Sequence, residues 1–132
     1  MTHSDPGDQF VQREDKAVYE TQEPVLYAVA DGVATLTMNR PDFHNVQNSQ
    51  MTYALDACFR RAVDDDTVKV IVLRGAGKHF SAGMSLDVFG ESVSMDDQSA
   101  EGRAAITDML AGLQSTFTRI ENLRIPVIVA LQ

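Results

Sequence analysis

The sequence predicts an α/β fold, and three observations carry the prediction. Runs rich in Val, Ile and Thr alternate with segments whose apolar residues recur at helical spacing. The run VKVIVL at 68–73 has few polar positions, as a strand covered on both faces requires. Asp31-Gly32 separates two strand-like runs, and Asp-Gly at that place is a strong hairpin signal because a type I′ turn needs positive φ twice.

The elements follow in order. Residues 1–24 hold Asp5, Asp8, Glu14, Asp15, Glu20 and Glu23 against Arg13 and Lys16, with little apolar surface to bury, and read as a mobile acidic tail. The domain then runs over 25–132. VLYAVA (25–30) and VATLTM (33–38) form the predicted hairpin. Asn39 to Asn45 is a loop, because Pro41 lacks an N–H and biases Arg40 toward extended backbone. Asn48 or Ser49 can cap a helix over 49–63, whose apolar face is Met51, Leu55, Cys58, Phe59 and Ala62. Asp64 to Asp66 is a solvated turn before the strand at 68–73. RGAGKHFSAG (74–83) carries three glycines in ten residues, Met84 to Phe89 starts a short helix, and 90–100 is a polar loop. Ile106, Met109, Leu110, Leu113, Phe117 and Ile120 trace a helix over 101–122. The segment 125–131 reads as a buried strand with Pro126 at its start.

Composition narrows the function classes. The 132 residues suit about one domain, with 44% hydrophobic residues and a formal net charge of −8. Such an acidic chain, with no dense basic patch, argues against nucleic acid and anionic membrane as partners. No apolar run reaches the roughly 20 residues that span a bilayer. Cys58 is the only cysteine, which excludes an internal disulfide and fits a reducing compartment. MTHSDPGDQF has no secretory pattern, so the expected location is cytoplasmic.

The Gly-rich loop is the sharpest chemical feature. A Walker A loop fails because Val72 stands at its first Gly and His79 at its Ser/Thr. The dinucleotide fingerprint fails because Phe80 stands at its third Gly. Ser81, Ala82 and Gly83 still allow close approach to the main chain, and backbone N–H groups near Met84 can serve an oxyanion. A plain strand-to-helix turn explains the glycines equally simply, and local chemistry alone favours it. His44 and His79 lie in separate loops with no second ligand at metal spacing, so no metal is assigned. Cys58 on an apolar helix face reads as a buried small residue.

Two segments taken together resemble a known family. Met38-Asn39-Arg40-Pro41-Asp42-Phe43-His44-Asn45-Val46-Gln47-Asn48 is similar to its N-R-P-x-x-x-N-A-x-N segment. Val70-Ile71-Val72-Leu73-Arg74-Gly75-Ala76-Gly77-Lys78-His79-Phe80-Ser81-Ala82-Gly83 is similar to its V-I-V-L-x-G-x-G-x-x-F-S-A-G segment. With a helix of the right length between them and I-P-V-I-V-A after them, residues 25–132 resemble the N-terminal part of the enoyl-CoA hydratase/isomerase (crotonase) superfamily. The resemblance implies a crotonase-like fold, a spiral of ββα repeats, present here as an incomplete N-terminal half.

It also implies a coenzyme A thioester as substrate, with CoA entering as part of that substrate and no separate cofactor. The first of two backbone oxyanion donors falls on Met84. CoA contacts fall on Phe43, His44 and Val46 of one loop and on Ala82, Gly83, Met84, Ser85 and Leu86 of the other. Arg40, Arg74 and Lys78 would place positive charge near the CoA phosphates but are left out of the site. The family's A-G-x-D-[LI] reads Ala82-Gly83-Met84-Ser85-Leu86 here, with Asp87 one place late, and Val46 replaces the usual Ala.

In the family, the second oxyanion glycine and the catalytic glutamates follow the I-P-V-I-V-A strand, and Glu91, Glu101 and Glu121 match neither glutamate. The implied reaction is hydration of a 2-enoyl-CoA through an enolate, with this chain inactive alone. Another crotonase-type reaction (isomerase, dehalogenase, hydrolase or decarboxylase) and a non-catalytic CoA-binding or truncated fragment stay open. Homotrimers or hexamers are implied for the whole protein.

Overall fold

A computed structural model of the chain describes residues 22–84 and 98–132. Most of the expected tail, the expected helix start after Met84 and most of the polar loop at 90–100 lie outside the described residues. Strands β1 (Val25–Ala30), β2 (Val33–Met38), β3 (Val70–Gly75) and β4 (Val127–Ala130) and helices α1 (Ser49–Asp64) and α2 (Ala100–Glu121) make up the described regular structure, with a 3-10 turn at Pro41–Phe43. The four strands form one sheet in the order β1-β2-β3-β4.

β1 and β2 pair antiparallel from Val25↔Met38 to Ala30↔Val33. Between them Asp31 (φ 51) and Gly32 (φ 78) both take positive φ, as the Asp-Gly turn requires. β2 and β3 pair parallel from Val33↔Val70 to Met38↔Gly75, and β3 and β4 pair parallel from Ile71↔Val127 to Arg74↔Ala130. Parallel neighbours need a crossover, and α1 and α2 lie in the two crossovers. The Asn48 side chain caps α1 by accepting from Met51 N–H at 2.9 Å, and Ser99 caps α2 by accepting from Gly102 N–H at 2.9 Å.

The core lies between α1 and one face of the sheet. Alternation along β2 buries Ala34, Leu36 and Met38, and helical spacing on α1 buries Met51, Leu55, Phe59 and Ala62 against them. Each such large side chain contributes roughly 1.5–3 kcal/mol on full burial. Cys58 packs half-buried beside this cluster, and burial pushes its thiol pKa up. Tyr27 joins from β1, with the Arg61 guanidinium 4.2 Å from its ring centroid.

Two expectations need correction. The third strand spans 70–75, not 68–73. Asp65 Oδ1 accepts from Thr67 N–H and Oγ, a side-chain turn that holds residues 65–68 out of the ladder while Val68 stays buried. The last strand is shorter than 125–131 and is not buried: Ile128 is 55% exposed, because β4 pairs only with β3 and the face away from α1 is open among the described residues. The apolar stripe of α2 is half-buried at Ile106, Met109, Leu113 and Ile120 and exposed at Leu110 and Phe117, with Thr116 the one buried residue of the helix. No described helix is long and apolar enough to cross a membrane.

Candidate functional site

Parallel pairing of Met38 with Gly75 releases two loops side by side at one end of the sheet. The first runs from Asn39 to Asn48. Pro41 sits at the start of the 3-10 turn, where its missing N–H is not needed, and Phe43 and Asn45 N–H groups both donate to Arg40 O at 3.1 and 2.9 Å. His44 (φ 53) and Asn45 (φ 52) then take consecutive left-handed conformations that reverse the chain. Non-glycine residues enter that region at a cost, and Asn does so most readily.

Arg40 does not face solvent. It is 1% exposed, and its Nη2 donates to Gln50 Oε1 at 2.8 Å and to Gln22 O at 3.4 Å. The expectation that Arg40 offers charge to CoA phosphates is therefore corrected: this guanidinium anchors the loop to α1 and to the segment before β1. Arg74 and Lys78 are exposed.

The second loop runs from Gly75 to Met84. A Cβ on Gly75 would sit 2.6 Å from Phe80 O and 2.8 Å from Asn45 Nδ2, so only glycine fits there. Gly77 (φ 80) packs its α-carbon against Pro41 of the first loop, where a Cβ would lie 2.8 Å from Pro41 Cβ. Gly83 (φ 90) differs, since among the described residues, its chain neighbours aside, no heavy atom lies within 4 Å of where its Cβ would be.

Backbone and side-chain bonds sew the loops together. Asn45 Nδ2 donates to Ala76 O at 3.0 Å and to His79 O at 2.9 Å, Ser81 Oγ donates to Asn45 O at 2.8 Å, and Ala82 N–H donates to His44 O at 2.8 Å. Gln47 N–H donates to Gly83 O at 2.7 Å, and Gln47 pairs with Met84 in an isolated parallel bridge. The two histidine rings meet across the seam, edge to face, with centroids 4.9 Å apart.

Of the residues singled out from sequence, Phe43 and Val46 are half-buried, while His44, Ala82, Gly83 and Met84 are exposed; all lie on this loop pair. Ser85 and Leu86 lie outside the described residues. Met84 alone of the set lines the adjoining cleft of about 380 Å³, whose other walls include Gln47, Asn48 and Tyr53 near the start of α1 and Met109, Leu113 and Phe117 of α2. The Met84 N–H donates to no described residue. Sequence reasoning missed Tyr53, Asp108 and Arg119 as cleft residues. Helical periodicity put Met109, Leu113 and Phe117 on one face but could not show that the face borders a cavity. Among the described residues no group of three His, Cys, Asp or Glu gathers as metal ligands would.

The arrangement offers a backbone donor at the rim of a partly apolar cleft, beside a bare stretch of main chain. Known proteins are similar to this chain over the residues that form it. A family model described as enoyl-CoA hydratase/isomerase matches residues 28–132. A protein named probable enoyl-CoA hydratase from Mycobacterium tuberculosis is 35% identical over 109 residues, covering 83% of this chain and 39% of the relative. The 1,2-epoxyphenylacetyl-CoA isomerase of Escherichia coli is 42% identical over 65 residues, covering 49% of this chain and 25% of the relative. A crystal structure of a probable enoyl-CoA hydratase from Mycobacterium thermoresistibile superposes with a TM-score of 0.70 at 36% identity, covering 84% of this chain and 42% of that one. An enoyl-CoA hydratase/isomerase structure from Xanthobacter autotrophicus gives 0.71 at 29% identity, covering 85% and 39%. The chain thus spans about two fifths of the length of the Mycobacterium and Xanthobacter proteins, over the part that carries the two loops, and it belongs to the enoyl-CoA hydratase/isomerase family.

Proposed function

We propose that this chain carries the thioester-binding part of an acyl-CoA enzyme, with the Met84 N–H as the first oxyanion donor. The observation that carries the reading is the position of Met84: at the end of the Gly75–Met84 loop, at the rim of the cleft, with an N–H that donates to no described residue. A fixed N–H aimed where negative charge develops is typically worth about 100–1000-fold in rate. Because the donor is main chain, the Met side chain leaves the role intact.

CoA itself runs over the seam between the loops. Phe43, His44 and Val46 line one side and Ala82 and Gly83 the other, and the open space around the Gly83 α-carbon suits close approach of an extended pantetheine. Ser85 and Leu86 complete that strip in sequence. The acyl chain occupies the cleft against Met109, Leu113 and Phe117.

In the whole protein the reaction is hydration of a 2-enoyl-CoA. One carboxylate activates water for attack on C3, the oxyanion donors hold the enolate, and a carboxyl group delivers a proton to C2. Those carboxylates and the second donor are assigned to no residue of this chain, so the part proposed for it is thioester binding. Isomerisation is the second reading, favoured by the isomerases among the relatives. It uses the same thioester cradle with different acid–base groups. The site works in the cytoplasm, with homotrimeric or hexameric assembly in the whole protein.

Titration with butyryl-CoA and crotonyl-CoA tests the reading. Saturable binding of both without loss of the enoyl absorbance is the expected result. Absence of binding overturns the thioester assignment, and hydration by this chain alone overturns the assignment of the acid–base groups elsewhere.

A further inference from the structure

The Asn45 side chain is fully buried at the seam of the two loops. Its amide uses three of its hydrogen-bonding positions across the seam. Oδ1 accepts from Arg40 N–H at 2.8 Å, and the two Nδ2 hydrogens go to Ala76 O at 3.0 Å and His79 O at 2.9 Å. The main chain of the same residue adds three more bonds: its N–H donates to Arg40 O at 2.9 Å, and its O accepts from Ser81 Oγ at 2.8 Å and from Gln47 Nε2 at 3.3 Å. Ser81 Oγ in turn accepts from Gly83 N–H at 3.1 Å, one residue before Met84. The left-handed backbone at Asn45 aims the side chain into the second loop, and Gly75 leaves just enough room for it.

We propose that Asn45 is a positioning residue for the oxyanion donor: by fixing the carbonyls of Ala76 and His79 against Arg40, it sets the height and orientation at which the loop presents the Met84 N–H to a thioester carbonyl. The inference rests on the thioester reading above. The bonds from Asn45 meet the second loop at Ala76, His79 and Ser81, and the bonds from His44 and Gln47 continue the seam to Ala82 and Gly83. A misplacement of the donor by a fraction of an ångström weakens an oxyanion contact far more than it weakens contacts along the CoA body.

Asn45→Asp tests this. The substitution keeps the shape and the acceptor for Arg40 N–H but turns both donations into oxygen–oxygen repulsions. Asn45→Gly, which accepts the positive φ and removes only side-chain bonds, covers the case in which Asn45→Asp does not fold. The readout is the carbonyl stretch of butyryl-CoA labelled with carbon-13 at the thioester carbon, at saturating ligand, with circular dichroism confirming the fold. On binding the wild-type chain the stretch moves to lower frequency. In a folded variant most of that displacement is lost while free CoA still binds. A wild-type displacement in a folded variant overturns the positioning role, as does equal loss of free CoA and butyryl-CoA binding, which would make Asn45 a holder of the loops and nothing more. If the wild-type chain binds free CoA but moves the carbonyl stretch not at all, the fault lies with the oxyanion assignment of Met84, and this inference falls with it.

Discussion

Gly75 and Asn45 occupy one packing space: a Cβ on Gly75 would lie 2.8 Å from Asn45 Nδ2, with Phe80 O closer still at 2.6 Å. The neighbours are backbone and a clamped amide, neither of which can move aside cheaply. The strand end and the seam between the loops are therefore one unit.

Gly75→Ala is expected to destabilise the chain by about 1–3 kcal/mol, the usual size of forced overpacking. Gly112→Ala, on α2 where among the described residues nothing beyond the helix's own backbone lies within 4 Å of the added carbon, is expected to stabilise by about 0.5–1 kcal/mol. Urea unfolding midpoints of the two variants should move in opposite directions from wild type. Equal shifts of one sign would contradict the packing described for Gly75.

Asp56 joins the two helices. Its carboxylate meets Arg119 of α2 at 3.1 Å and Arg60 of its own helix at 3.1 Å. Both guanidinium groups are largely exposed, so Arg119→Gln should cost about 0.2–1 kcal/mol. The cost should shrink as salt is raised toward 1 M, where the screening length falls to about 3 Å. Thermal midpoints of wild type and variant, measured in low and high salt, check this.

The Tyr27 hydroxyl is buried and has no partner among the described residues, and that burial pushes its pKa up. The folded state therefore holds this proton more tightly than the unfolded state. Its contribution to stability is complete below the ordinary tyrosine value and is lost as pH rises through the folded value. Tyr27→Phe should remove an orphaned polar group, raising stability by about 1 kcal/mol at neutral pH. It should also flatten the loss of thermal midpoint above about pH 10. An unchanged alkaline slope would sink the account.

Asp65 behaves in the opposite sense. Hydrogen bonds from the Thr67 side chain and backbone hold its carboxyl below the ordinary carboxylate range. The turn is favoured above that range and the contribution disappears as pH falls through the folded value. Thr67→Val removes the hydroxyl and should weaken the acid dependence of the midpoint below about pH 4. Asp65→Asn should remove it altogether. Acid titrations of the three proteins, followed by circular dichroism, decide the point.

The local elements were legible because local chemistry makes them. Asp31-Gly32 forms its turn because both residues must take positive φ, and Asn48 starts α1 because its side chain can reach Met51 N–H. The boundaries of β3 were missed by two residues because Val68 is apolar enough for a strand, yet the Asp65–Thr67 turn keeps it outside the ladder. Periodicity on α2 gave the right face, but spacing shows which residues share a side and not what that side meets. Arg40 was misread because its charge suggests solvent, whereas Gln50 and Gln22 receive it inside. The meeting of His44 with His79 depends on β2 pairing parallel with β3, a relation between segments that no local signal announces.

That parallel pairing has a wider consequence. Strands running the same way all release their chains at one rim, and β4 emerges there too: the Gln132 side chain donates to Gly75 O at 2.9 Å and to Gly77 O. Each crossover thus delivers one more segment to a common mouth without altering those already in place. The seam of Asn45, Ser81 and Gly83 is closed between the loops that follow β2 and β3, so the segment that β4 delivers reaches the rim with that seam already made.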